Sequence, residues 1–262
     1  MNAFIFRNLS RPAGRLDITI FSRATRSLKT MTIPPRPRRF APLDPAKRRE
    51  NDNRPVLQGI VFDVDGTLCL PQNYMFAEMR AALGIEKPTD ILDHISSLPK
   101  AEQEEAQEKI CDIELTAMES QQAQPGLVEL MDYLDSRGIR KAICTRNFDA
   151  PVANLLNRFL PVSKFGPIVT RKFKPPKPDP AGILHIAKAW NHEDGNELIM
   201  VGDSIDDMMA GYRAGAATVL LANSENQDLV QHKYTDFVIE SLDELIQVLD
   251  NGFEGSSDAG EK

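Results

Sequence analysis

The run Gly59, Ile60, Val61, Phe62 is followed at once by Asp63 and Asp65, two carboxylates one residue apart, and then by the turn residue Gly66. Four apolar residues ended by a turn read as a strand buried on both faces, the kind found in a parallel sheet covered by helices. Carboxylates are costly to desolvate, so a pair at the end of such a strand calls for a cation, acid/base work, or both. Asp-x-Asp-Gly is also ordinary turn chemistry. An EF-hand calcium loop is excluded by spacing: counting from Asp63, the sixth position is Leu68 where Gly is needed, and the twelfth is Tyr74 where Glu is needed.

Three later fragments sit in the same way at strand ends. Lys141, Ala142, Ile143 and Cys144 lead to Thr145, Arg146 and Asn147. Lys177 lies in KPPKPDP, whose prolines forbid a helix. Leu198 to Val201 lead to Gly202 and Asp203, with Asp206 and Asp207 soon after. In an open α/β sheet ligands bind beyond the carboxyl ends of the strands, so residues distant in sequence converge there. Asp63, Asp65, Thr145, Lys177, Asp203 and Asp207 are thus expected to line one crevice.

With these four fragments in order, the chain resembles the haloacid dehalogenase-like (HAD-like) hydrolase superfamily over about Val56 to Asp250, and its phosphoglycolate-phosphatase-like branch in particular. The resemblance implies a doubly wound, Rossmann-like α/β core carrying a small all-helical cap. It implies that Asp63 is the nucleophile and Asp65 the general acid/base, with Thr145 and Lys177 holding phosphoryl oxygens. It also implies that Asp203 completes a magnesium site with the Asp63 side chain and the Asp65 main-chain carbonyl, and that Asp207 supports that site or orients Lys177. The second Asp of the first motif separates phosphoryl-transfer members from dehalogenases, so Asp65 favours a phosphatase.

The chemistry asks for the same residue types. A carboxylate attacking phosphorus forms an acyl phosphate that water cleaves more readily than the ester. Two unit negative charges at ~4 Å repel by about 4 kcal/mol at an effective dielectric of ~20, so a cation must be present. Mg2+ suits an all-oxygen site of one or two carboxylates plus a phosphate oxygen. Arg146 and Asn147 are weaker candidates for substrate contact, and Asp206 reads as an acid in the first turn of a helix over 205–214.

Asp65 and Thr145 are 80 positions apart, too far for one crossover helix. Helices are expected over 74–83, 89–98 and 101–120, the last with Ala106, Ile110, Ile113 and Ala117 on one face. The core then resumes at Pro125 and Gly126 with a helix over 127–137. The expected organisation is a basic, disordered arm over 1–54, a core over 55–69 and 125–250, a helical cap over 70–124, and a disordered tail over 251–262. Tyr74, Phe76, Arg80 and His94 are the cap side chains to test for substrate contact. A closing helix over 241–249 is expected to start on a Ser241–Glu244 capping box.

The chain has 262 residues, 42% of them hydrophobic, enough for a core domain and one small one. Its net charge of −7 hides a division. The first 54 residues hold 13 Lys and Arg against 4 Asp and Glu, and the rest hold 18 against 34. An acidic catalytic portion argues against nucleic acid as partner, and the resemblance implies a small phosphorylated metabolite as substrate, since capped members usually act on those. The Arg-rich, Ser-containing start resembles a mitochondrial transit peptide, the alternatives being a disordered arm or an extension upstream of a start at Met31. No run approaches the roughly 18 apolar residues of a membrane span, and Cys69, Cys111 and Cys144 form no disulfide framework. A soluble intracellular protein is expected, in the mitochondrial matrix if the arm is a transit peptide and otherwise in the cytoplasm. The expected function is a Mg-dependent phosphatase working through an aspartyl-phosphate. The alternatives are a phosphomutase of a sugar phosphate and a catalytically silent binding protein of the same fold.

Overall fold

The computed structural model describes residues 37–256. Its centre is a six-stranded parallel sheet made of β1 (Gly59–Phe62), β2 (Arg140–Cys144), β3 (Ile168–Val169), β4 (Leu198–Gly202), β5 (Ala217–Leu221) and β6 (Phe237–Ile239). The order across the sheet is β3-β2-β1-β4-β5-β6. The chain moves outward from β1 in one direction to β3, then crosses back to lay β4 against the other side of β1. That reversal opens a crevice at the carboxyl ends of β1 and its neighbours, where open α/β sheets bind ligands. The register places Phe62 opposite both Ile143 and Val201, so Cys144 and Gly202 lie level with Asp63, and Thr145 and Asp203 emerge one residue beyond it.

The helices are α1 (Asn73–Leu83), α2 (Ile91–Ser97), α3 (Lys100–Glu119), α4 (Leu127–Ser136), α5 (Asp149–Phe159), α6 (Ala181–Ala189), α7 (Ile205–Ala214) and α8 (Glu244–Asn251). Side chains alternate along a strand, and both sheet faces are covered. Ile60 and Phe62 of β1 pack with α4, α5 and α8, whereas Val61 packs with α6 and α7. Helices α1 to α3 lie between β1 and α4 and bury a cluster of their own around Met75, Met79, Ile95 and Ile110. The two stems of this insert are tied together, Leu70 N donating to Gln122 O and Gln124 N to Leu68 O.

Three sequence expectations differ. Part of the arm assigned to 1–54 belongs to the core: Phe40, Ala41 and Leu43 are buried, and Phe40 N donates to Phe253 O at 2.9 Å. The tail assigned to 251–262 likewise begins ordered, with Phe253 fully buried against Phe40 and Phe237 at ring separations of 5.8 and 5.7 Å. Two lone aromatics outside any periodic run carry no local signal. Finally, α8 begins at Glu244 after Asp243, because the Ser241 hydroxyl is bonded to Asp243 and the Glu244 carboxylate accepts from Glu240 N. The transit-peptide reading and the rest of the tail lie outside the described residues. Among the described residues, no helix is long and apolar enough to cross a membrane.

Phe253→Ala is expected to destabilise the fold by about 3 to 5 kcal/mol in urea unfolding, because a fully buried ring leaves a cavity that the surroundings fill only in part. A change under about 1 kcal/mol would show that the segment does not belong to the core.

Candidate active site

Beyond β1 the chain turns on a single acceptor. The Val64 carbonyl takes the amides of Thr67, Leu68 and Cys69 at 3.2, 2.9 and 3.1 Å. Gly66 sits in the left-handed region with φ +81, and a Cβ there would overlap the Asp203 carboxylate. Glycine is therefore required twice, by backbone conformation and by the approach of the neighbouring loop. The Gln124 side-chain amide, at the return of the insert, donates to Gly66 O at 2.9 Å and holds the turn from the far side.

Lys177 reaches this turn from the proline-rich loop. Its ammonium is buried and donates to Asp63 Oδ1 at 2.6 Å and to Asp207 Oδ1. Burial alone would lower its pKa, but the carboxylates of Asp207 and Asp63 outweigh that and hold it above its ordinary range. Asp207 is oriented by its own helix. Ser204 caps α7, and Asp207 Oδ2 accepts from the Ser204 amide at 3.1 Å and from its hydroxyl at 2.6 Å. Both Asp207 oxygens are thereby engaged, one by Lys177 and one by Ser204.

Asp63, Asp203 and Asp207 each bring a carboxylate oxygen within 4.8 Å of the other two. One lysine does not balance them. Burial pushes Asp63 up to about 7, with Lys177 opposing and Asp207 and Asp65 adding to the rise. Burial, reinforced by Asp207 and Asp63, pushes Asp203 up to about 8. Asp203 Oδ1 accepts from the Thr67 hydroxyl at 3.5 Å. A hard divalent cation fits this donor set, since it would neutralise Asp63 and Asp203 together, while Asp207 is committed to Lys177 and Ser204.

Asp65 projects beside these groups. Its Oδ2 accepts from the Asn147 side-chain amide at 2.9 Å, and burial outweighs that bond to raise its pKa. Thr145 is buried at the end of β2, its hydroxyl accepting from Asn147 N at 3.1 Å. Arg146 points the other way along the rim. Its guanidinium bonds Asp90, the N-cap of α2, at 2.6 Å and also bonds Asp206 in the first turn of α7.

These groups open into a cavity of about 310 Å³. Asp63, Asp65, Thr145, Asn147, Lys177 and Asp203 form its polar end. Helices α1, α2 and α3 close the other end with Met75, Phe76, Met79, Ile91, Leu92 and Ile110.

A model of haloacid dehalogenase-like hydrolases matches residues 57–215, which span the strand-end motifs just described. The chain belongs to this family. It is 49% identical over 201 residues to an uncharacterized hydrolase of Saccharomyces cerevisiae, covering 74% of this chain and 92% of that protein. It is 28% identical over 193 residues to a phosphoglycolate phosphatase of Agrobacterium fabrum, covering 64% of this chain and 81% of that protein. A hydrolase from Pseudomonas syringae has the same fold, with a TM-score of 0.62 at 24% identity over 74% of this chain and 98% of that one. The chain is accordingly a phosphatase-like hydrolase.

The structure brings Asp63, Asp65, Thr145, Asn147, Lys177 and Asp203 together around one cavity, with Asp207 directly behind Lys177. Arg146 also lines the cavity, but its charge is taken by Asp90 and Asp206. Of Tyr74, Phe76, Arg80 and His94, only Phe76 lines it; the Tyr74 hydroxyl is bonded to Ser120 and Arg80 to the Phe76 carbonyl. Sequence reasoning missed Glu114 and Arg171. Glu114 is buried on α3 in line with Ala106 and Ile110 and lines the cavity, bonded to the buried guanidinium of Arg171, which follows β3. A carboxylate on the apolar stripe of an otherwise amphipathic helix was the available signal.

Proposed function

We propose that the protein is a magnesium-dependent phosphatase of a small phosphorylated metabolite, acting through an aspartyl-phosphate on Asp63, with α1 to α3 serving as a cap over the site. The observation that carries this reading is the buried Asp63 carboxylate, held between Lys177 on one side and Asp203 on the other, at the floor of a cavity that Asp65 also lines.

Asp63 and Asp203, with the Asp65 main-chain carbonyl, would hold Mg2+, which when bound neutralises the carboxylates and the incoming phosphoryl oxygens. An Asp63 carboxylate oxygen attacks phosphorus as the ester oxygen departs, and Asp65 gives that oxygen its proton. Lys177 and the Thr145 hydroxyl hold the equatorial phosphoryl oxygens through the transfer. Asp65, now a carboxylate, takes a proton from water, and the resulting attack on phosphorus breaks the acyl phosphate to release inorganic phosphate and restore Asp63. Asn147 keeps Asp65 aimed by its 2.9 Å bond. Enclosure by α1 to α3 admits a small ester and limits access of water and macromolecules.

The test is hydrolysis of a panel of phosphorylated metabolites with and without metal. Phosphate release that depends on Mg2+, falls to background with excess chelator and returns on adding Mg2+ is the expected result. Release unaffected by chelation would end the metal-dependent reading. Return of the phosphoryl group to a sugar phosphate in place of water would make the protein a mutase.

A further inference from the structure

Building on the phosphatase reading above, we propose that the leaving alcohol of the substrate is uncharged and carries apolar surface, and that Glu114 turns away esters bearing a second anion, phosphoglycolate among them. The phosphoryl group belongs at the polar end of the cavity, with Asp63, Thr145 and Lys177. The leaving group must then lie toward α1, α2 and α3. What it meets there is the apolar wall of Met75, Phe76, Met79, Ile91, Leu92 and Ile110, interrupted by one carboxylate, Glu114.

A substrate carboxylate at that end needs a cation, and the cavity has none to give. Two basic side chains line it, Arg146 and Lys177, against five acids: Asp63, Asp65, Glu114, Asp203 and Asp206. Lys177 is spent on Asp63 and Asp207, and Arg146 on Asp90 and Asp206. The third cation nearby, Arg171, does not line the cavity. It is buried, bonds Glu114, and lies over the Phe148 ring at 5.4 Å. Even with a divalent ion on Asp63 and Asp203, the five lining acids leave no positive charge over for a second anion. Glu114 bridges the insert to the core through Arg171, so its carboxylate is fixed in place and cannot swing aside for an anion. An alkyl or aryl group in the same place loses only its own hydration, which favours burial.

Glu114 is paired with Arg171, so what it denies a second anion is that guanidinium; a substrate carboxylate left without a cation against the apolar wall then costs on the order of tenfold. Ethyl phosphate and 2-phosphoglycolate make a matched pair, since one ends in a methyl group where the other ends in a carboxylate. With the full chain and Mg2+, kcat/KM for ethyl phosphate is expected to exceed that for phosphoglycolate by on the order of tenfold, with benzyl phosphate better still. In Glu114→Gln the phosphoglycolate-to-ethyl phosphate ratio should rise by about tenfold or more, chiefly through KM. Equal or better turnover of phosphoglycolate by the native chain would overturn this substrate class and leave the phosphatase reading standing. Hydrolysis of no ester in the presence of Mg2+ would overturn both. Should Glu114→Gln not fold, the matched pair on the native chain still decides; should it fold with an unchanged ratio, Glu114 is not the discriminating residue.

Discussion

Asp63→Asn is expected to lower kcat on any phosphate ester by about 10⁴-fold or more, with the fold intact. The amide oxygen is too weak a nucleophile to displace an alcohol from phosphorus, and no other side chain in the cavity is held between Lys177 and Asp203 as Asp63 is. The shape is unchanged, and Lys177 keeps Asp207 as a partner. One charge is removed from a group of carboxylates that burial first, and mutual repulsion second, drive above the usual carboxylate range at Asp63 and Asp203. The urea midpoint of the metal-free variant should therefore equal or exceed that of the native chain. A second readout is chemical. Acid quenching during turnover of a radiolabelled ester should trap label on the native protein and none on the variant. Full activity in Asp63→Asn, or label retained by it, would remove Asp63 from the role of nucleophile.

Lys177→Ala is the second large effect, and it should strike stability and catalysis together. Lys177 is the buried partner of two buried carboxylates, Asp63 and Asp207. Removing one member of such a group leaves uncompensated charge at a cost of about 3 to 5 kcal/mol. Asp207 would keep only its bonds from Ser204. The phosphoryl oxygens would lose their fixed positive neighbour, worth about 10³-fold in kcat by analogy with other preorganised donors. Lys177→Met separates the two contributions by keeping the aliphatic stem in its channel without the charge. Urea unfolding of both variants beside steady-state kinetics is the measurement. A Lys177→Ala protein as stable as the native chain and within about tenfold of its kcat would mean that the carboxylates do not depend on this ammonium.

Much of the core was legible before any coordinates. The strand ended by Asp63, the strand leading to Thr145 and the strand leading to Asp203 were each marked by an unbroken apolar run. Helix α7 over Ile205–Ala214 lies where the sequence puts it. The insert helices were visible within a residue or two at each end because their apolar residues recur at helical spacing. By contrast, β3 has only two residues, too few for any pattern. Phe40 and Phe253 lie more than two hundred positions apart and gain meaning only when they meet.

The chain by itself thus determined which chemical groups stand at the strand ends and in what order, because residue type and short-range periodicity are local properties. The tertiary structure alone decided which charges are already spent. Arg146 was a candidate for substrate contact, but Asp90 and Asp206 hold it, and Glu114, which sequence reading passed over, is turned inward onto Arg171 by α3. Those pairings join positions about 55 to 60 residues apart, and no local pattern encodes them. They depend on which face of an inserted helix meets the rim of the sheet, and the distance between two buried charges sets their energy more strongly than the identity of either.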